Sequence, residues 1–102
     1  MKYKVNLSGR FRRDCKRHGY LLENNKLKEP LQTALDLLER GEMLPPRFSD
    51  HKLSGKLKGT REFHVEYDLV CVYRIEKKKL IIEALMLGTH KEAFDIRSSE
   101  EY

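Results

Sequence analysis

The sequence predicts an α+β domain in which two N-terminal helices pack on a mostly antiparallel four-stranded sheet, in the order β-α-α-β-β-β. Three observations carry this expectation: an alternating stretch at the start, two stretches of helical period after it, and three β-rich stretches in the second half. Two helices covering one face of a sheet form a standard layered arrangement.

The first strand is "KYKVNL", where Tyr3, Val5 and Leu7 alternate with Lys2, Lys4 and Asn6. Ser8 is the expected cap of a short basic helix. Within it Phe11 and Cys15 fall one turn apart, and Gly19 supplies the left-handed residue that commonly ends a helix. The main amphipathic helix follows from Leu27, Leu31, Ala34, Leu35 and Leu38, spaced by three and four, with Gly41 just past its end. Asn24 or Asn25 is available as its cap, whereas Pro30 belongs in a first turn and draws the start toward Glu29.

"MLPPRFSDHKLSGKLKGT" has adjacent prolines, two glycines and four cationic side chains but no sustained period, so it reads as an ordered loop. Residues 61–67, 69–76 and 79–87 then read as three antiparallel strands, broken near "EYD" and at "EKKK". Residues 1–95 form one domain in this reading, and the polar tail 96–102 frays.

The chain of 102 residues suits one modest core, and with 39% hydrophobic against 36% charged residues its composition is that of a polar globular protein. No apolar run approaches the roughly 18 residues of a membrane span, and the N-terminus turns polar too early for an export signal. A cytoplasmic protein without a membrane partner is expected. Two distant cysteines, Cys15 and Cys71, are neither a disulfide scaffold nor a metal knuckle, and ordinary buried thiols are expected. The net charge of +5 is compatible with a polyanionic partner.

The strand 61–67 sends Phe63 and Val65 to one face and Glu62, His64 and Glu66 to the other. Asp68 follows at the turn, His51 comes from the preceding loop, and His90 follows Gly88 at the end of the last strand. Each histidine alone reads equally as a surface residue. Lys52, Lys56, Lys58 and Arg61 crowd the same region, as a solvated loop or as a site for phosphates. Tyr67, Tyr73 and Phe94 offer rings for a base or cover for a core. No metal is expected, because no compact ligand motif such as H-E-x-x-H is present and Asp68 is the obvious carboxylate available to complete a histidine set. No Gly-rich phosphate loop is present, and no cofactor is expected.

"DHKLSGKLKGTREFHVEYDLVCVY" followed by "LGTHKEAF" resembles the YafQ branch of the RelE-like toxins of bacterial type II toxin–antitoxin modules. That pattern runs D-H-x-L-x-G-x-x-K-G-x-R-E/D-x-H-x-x-x-D and later G-T/S-H-x-x-x-F. The resemblance implies a RelE-like fold, a ribosome-dependent endoribonuclease acting on mRNA in the ribosomal A site, and inhibition of translation. It also implies the ribosome and a cognate antitoxin as partners, the latter in a heterotetramer or larger assembly. Its functional positions fall on His51, His64, Asp68, His90 and Phe94. Metal-free cleavage by the neighbouring 2′-hydroxyl needs a base, an acid and stabilisation of the phosphate. The roles expected are His90 as acid, Asp68 with His64 on the base side, His51 and Arg61 at the phosphate, and Phe94 against a base. Two departures stand out: Met86 occupies the position of a usual arginine, and Leu69 that of a frequent tryptophan. The missing arginine keeps open a catalytically weak or inactive RNA- or ribosome-binding module of the same fold.

Overall fold

A computed structural model describes residues 2–53 and 59–98. Strand β1 (Lys4–Leu7) leads into helices α1 (Gly9–Arg17) and α2 (Leu31–Glu39), then a two-residue strand β2 (His51–Lys52). Strands β3 (Thr60–Glu66), β4 (Leu69–Glu76) and β5 (Ile81–Gly88) follow, and helix α3 (His90–Ser98) ends the described chain. The sheet has the order β1-β5-β4-β3-β2, with β1 parallel to β5 and every other pairing antiparallel. The α+β class and the mostly antiparallel sheet are as expected. Among the described residues the sheet has five strands rather than four, and there are three α-helices rather than two.

The N-terminal half follows its sequence signals closely. The Ser8 hydroxyl accepts the Phe11 N–H at 2.9 Å and donates to the Leu85 carbonyl at 2.9 Å, so it caps α1 and fastens it to β5. Gly19 and Gly41, both at φ +76°, stop α1 and α2 in the left-handed region. Asn24 and Asn25 do not cap α2. They adopt φ of 62° and 60° in a 3-10 turn that brings Leu21 against Leu27, a conformation asparagine tolerates better than most residues. Helix α2 therefore starts at Leu31 behind Pro30. The Glu29 carboxylate accepts the Thr33 N–H at 3.0 Å, which serves one of the helix's open donors.

Two apolar clusters hold the sheet, one on each face. The larger joins Phe11, Cys15, Leu31, Ala34, Leu35 and Leu38 of the first two helices to Phe63, Cys71, Tyr73, Ile82 and Leu87 of the strands. The smaller, Leu53, Val70, Val72, Met86 and Ala93, lies under α3 on the opposite face. This second cluster explains why Val70 and Val72 are as buried as Cys71 and Tyr73: β4 is covered on both sides and loses its alternation. Cys15 and Cys71 are buried thiols as expected. Burial, with Asp14 alongside, pushes Cys15 up to about 12, and burial raises Cys71 well above the usual thiol range.

The remaining differences lie in the second half. Residues 51–52, read as loop, pair with β3 as a short edge strand. Strand β5 begins at Ile81 rather than 79, because Leu80 at φ 55° completes the turn from Lys77. A bulge between His64 and Glu66 breaks strict alternation and carries Glu66 to Tyr20, whose hydroxyl donates to it, so Glu66 does not share the face of His64. Helix α3 takes in the first three residues of the expected tail; residues 99–102 lie outside the described residues.

Candidate active site

On the face carrying α3, four predicted side chains form a row contributed by β2, β3, the β3–β4 turn and α3. Asp68, in the tight turn after β3, accepts both the backbone N–H of His90 at 2.9 Å and a bond at 2.6 Å to its Nδ1. Both bonds, the backbone one foremost, hold the Asp68 carboxyl below its usual range. An ionised carboxylate only accepts, so His90 Nδ1 carries the hydrogen and Nε2 is the nitrogen left facing the site. That Nε2 lies 3.2 Å from Nε2 of His64, and the two rings meet edge to face with centroids 4.8 Å apart. His51 completes the row, its ring centroid 6.5 Å from that of His64. Its Nδ1 donates to the Ser49 carbonyl at 2.7 Å, and its Nε2 lies 3.4 Å from the Glu62 carboxylate.

Glu62 was not singled out in the sequence, although its period-two spacing from His64 put it on the same face. It is a buried carboxylate directly across from His51 in the strand register. Glu62, His64 and His90 each offer one donor atom, all within 4.8 Å of one another. Two imidazoles and a carboxylate are a chemically suitable set for a transition metal. Phe94, one helical turn after His90, is 54% exposed on α3, and Tyr67, beside Asp68, is 97% exposed. Tyr73, by contrast, is a core residue.

The cations divide differently. Arg61 points to the face opposite His64, where its guanidinium bonds the Asp50 carboxylate at 3.1–3.3 Å and the Tyr73 hydroxyl at 3.2 Å. Lys52, its cross-strand neighbour, lines a cavity on that same face. The structure therefore does not bring Arg61 or Lys52 together with the histidines, and Lys56 and Lys58 lie outside the described residues. Met86 is fully buried in the smaller core.

Residues 3–95 match the family model described as "Bacterial toxin of type II toxin-antitoxin system, YafQ". The chain belongs to the YafQ toxin family. It is 36% identical over 94 residues to the mRNA interferase toxin YafQ of Escherichia coli strain K12, an alignment covering 88% of this chain and 94% of that protein. Among solved structures it resembles a metal-bound toxin from Helicobacter pylori, with TM-score 0.76, 31% identity and coverage of 88% and 97% of the two chains. It also resembles a chain of the E. coli DinJ–YafQ toxin–antitoxin complex, with TM-score 0.74, 27% identity and coverage of 92% and 99%.

Proposed function

We propose that this chain is the toxin of a type II module and an endoribonuclease that cuts mRNA in the ribosomal A site of the cytoplasm, held inactive by a cognate antitoxin. The observation that carries the reading is the Asp68–His90–His64 chain of contacts. It supplies two titratable nitrogens 3.2 Å apart, one of them oriented by a carboxylate. Among the described residues, no helix is long and apolar enough to cross a membrane. The named relatives support an mRNA substrate and an antitoxin partner of the kind DinJ is to E. coli YafQ.

In the proposed reaction the 2′-hydroxyl attacks the adjacent phosphorus, its proton passes to one imidazole, and the leaving 5′-oxygen takes a proton from the other. His90 is the acid. Its Nδ1–H is held by Asp68, which also stabilises the imidazolium that must be present before transfer. Asp68 already accepts two bonds from His90, so the base role expected of Asp68 passes to His64. Entry of the phosphate separates the two rings, and their renewed N···N contact afterwards returns the proton from His64 to His90. His51 flanks the phosphate, and Phe94 stacks on a substrate base. With Arg61 engaged by Asp50 and Met86 in place of the usual arginine, the cationic side of the site falls to the ribosome.

The reaction so written needs no metal. A transition metal taken up by Glu62, His64 and His90 would occupy both proton-transferring nitrogens and stop the cycle.

The loss of two guanidinium candidates from this face favours a second reading, a ribosome-binding module of the same fold with little turnover. Cleavage assays with purified toxin separate the two. Primer extension should find cuts in messages engaged on ribosomes and few in the same RNA when naked, because so small a site leaves alignment of the strand to the ribosome. Equal cutting of naked RNA contradicts ribosome dependence, and no cutting in either state selects the binding module.

A further inference from the structure

The catalytic row depends on the first turn of α3, which is built by residues that take no part in the proposed proton transfers. The Thr89 hydroxyl accepts the Glu92 N–H at 3.1 Å, and Glu92 Oε1 accepts the Thr89 N–H at 2.8 Å, a reciprocal capping box around His90. The other oxygen of Glu92 lies 3.3 Å from the Arg17 guanidinium of α1. Arg17 in turn bonds Asp14 at 3.3 Å, and Asp14 is buried, accepting the Leu87 N–H of β5 at 3.0 Å. His18 Nε2, buried and without a hydrogen-bond partner, stands 3.9 Å from Glu92 Oε1. The capping carboxylate is therefore fixed from two sides, by the helix it caps and by α1 beyond the sheet.

Gly88 makes room for this arrangement. A Cβ there would come within 2.6 Å of Glu92 Oε1, 2.9 Å of Met86 Cε and 3.2 Å of Glu92 Cβ. Asp68 meanwhile takes the next N–H of the same turn, that of His90, so two carboxylates share the positive end of α3.

We propose that Glu92 is a positioning residue for His90: by closing the first turn of α3 and tying it through Arg17 to Asp14, it keeps His90 aligned between Asp68 and His64. Loss of the cap lets the turn swing. His90 then loses registry with both partners while the sheet and its cores stay intact.

The test uses the full-length toxin and two readouts. In 15N-edited imidazole spectra, wild type should show a strongly hydrogen-bonded His90 Nδ1–H. Glu92→Ala should weaken that signal and mix the His90 tautomers, leaving the His51 signals in place. Glu92→Gln should recover most of the wild-type pattern, because an amide oxygen still accepts the Thr89 N–H although the amide nitrogen cannot take the Arg17 bond. Gly88→Ala, which displaces the carboxylate, should resemble Glu92→Ala. The rate arm rests on the functional reading above. Single-turnover cleavage on programmed ribosomes should fall roughly 10- to 100-fold in Glu92→Ala, with ribosome affinity unchanged and recovery in Glu92→Gln, the scale of loss from a misplaced reacting group. Wild-type imidazole spectra in Glu92→Ala overturn the proposal, as does a Glu92→Gln variant as disturbed as Glu92→Ala. If wild type does not cut at all, the functional reading fails while the spectra still decide the positioning role.

Discussion

His90→Ala is expected to lower cleavage of ribosome-bound mRNA by about 100-fold to 10,000-fold, the usual consequence of removing a positioned general acid. His90 Nε2 faces His64, and its Nδ1–H is anchored on Asp68, so the substitution removes the imidazole that the carboxylate orients toward the leaving oxygen. Asp68→Asn should fall in the same range. An asparagine can still accept the His90 N–H, but it removes the negative charge that supports the imidazolium. Both side chains are about half exposed, 45% for His90 and 55% for Asp68, so neither change opens a cavity in the core. Thermal unfolding and binding of the antitoxin should therefore match wild type while growth inhibition disappears. Full toxicity in the His90→Ala strain would remove His90 from the mechanism.

Phe63→Ala is expected to cost about 3–5 kcal/mol of folding stability, the range for deleting a buried aromatic ring. Phe63 is completely buried, with its ring 5.8 Å from Phe48 at a perpendicular angle and 5.7 Å from Tyr73. The stability of a small domain is of the order of 5–15 kcal/mol, so this one truncation removes a large share of it. The consequence reaches the site through covalent geometry: Phe63 is the inward residue between Glu62 and His64, and its burial sets the facing of both. Phe94→Ala removes the same side chain from a half-exposed position and should leave the denaturation midpoint almost unmoved. Urea denaturation of the two variants side by side makes the comparison. A loss below about 1 kcal/mol for Phe63→Ala would contradict the assigned core.

Most of the fold was legible because its signals are local. Ser8, the three- and four-residue spacing of α2, and the broken β-rich runs each report a period or a cap that the backbone then adopts. Asn24 and Asn25 were ambiguous in principle, since asparagine serves helix caps and left-handed turns alike, and the pairing of Leu21 with Leu27 decides between them. Strand β2 was invisible because two residues carry no period; it exists through its partner, β3. Helix α3 did have a signal. Thr89 and Glu92 form a T-x-x-E capping box, but it directly follows a strand and precedes only a short stretch with a weak apolar face, so the strand pattern dominated.

For the site, the likeness to a known motif gathered His51, His64, Asp68 and His90, and the geometry brings those four into one row. Alternation put Glu62 beside them. Arg61 lies three positions before His64, and that odd spacing in a strand turns the guanidinium to the opposite face and into the Asp50–Tyr73 network. Charge content alone had grouped these side chains; the pleat divides them. The bulge after His64 could not be read in advance, since nothing in "HVE" distinguishes a bulged strand from a regular one.

The account rests on a metal-free transfer from the 2′-oxygen to phosphorus at the His64–His90 pair, and the most direct measurement is the chemistry of the cut ends. Messages cleaved by the purified toxin on ribosomes would be sequenced at their termini after the toxin has been pre-treated with chelator and freed of it by gel filtration, so that ribosomal magnesium is left in place. The predicted result is an undiminished rate, with a 2′,3′-cyclic or 3′-phosphate on the upstream fragment and a 5′-hydroxyl on the downstream one. A 5′-phosphate on the downstream fragment, or cleavage that stops after chelation and returns with added metal, would contradict the mechanism.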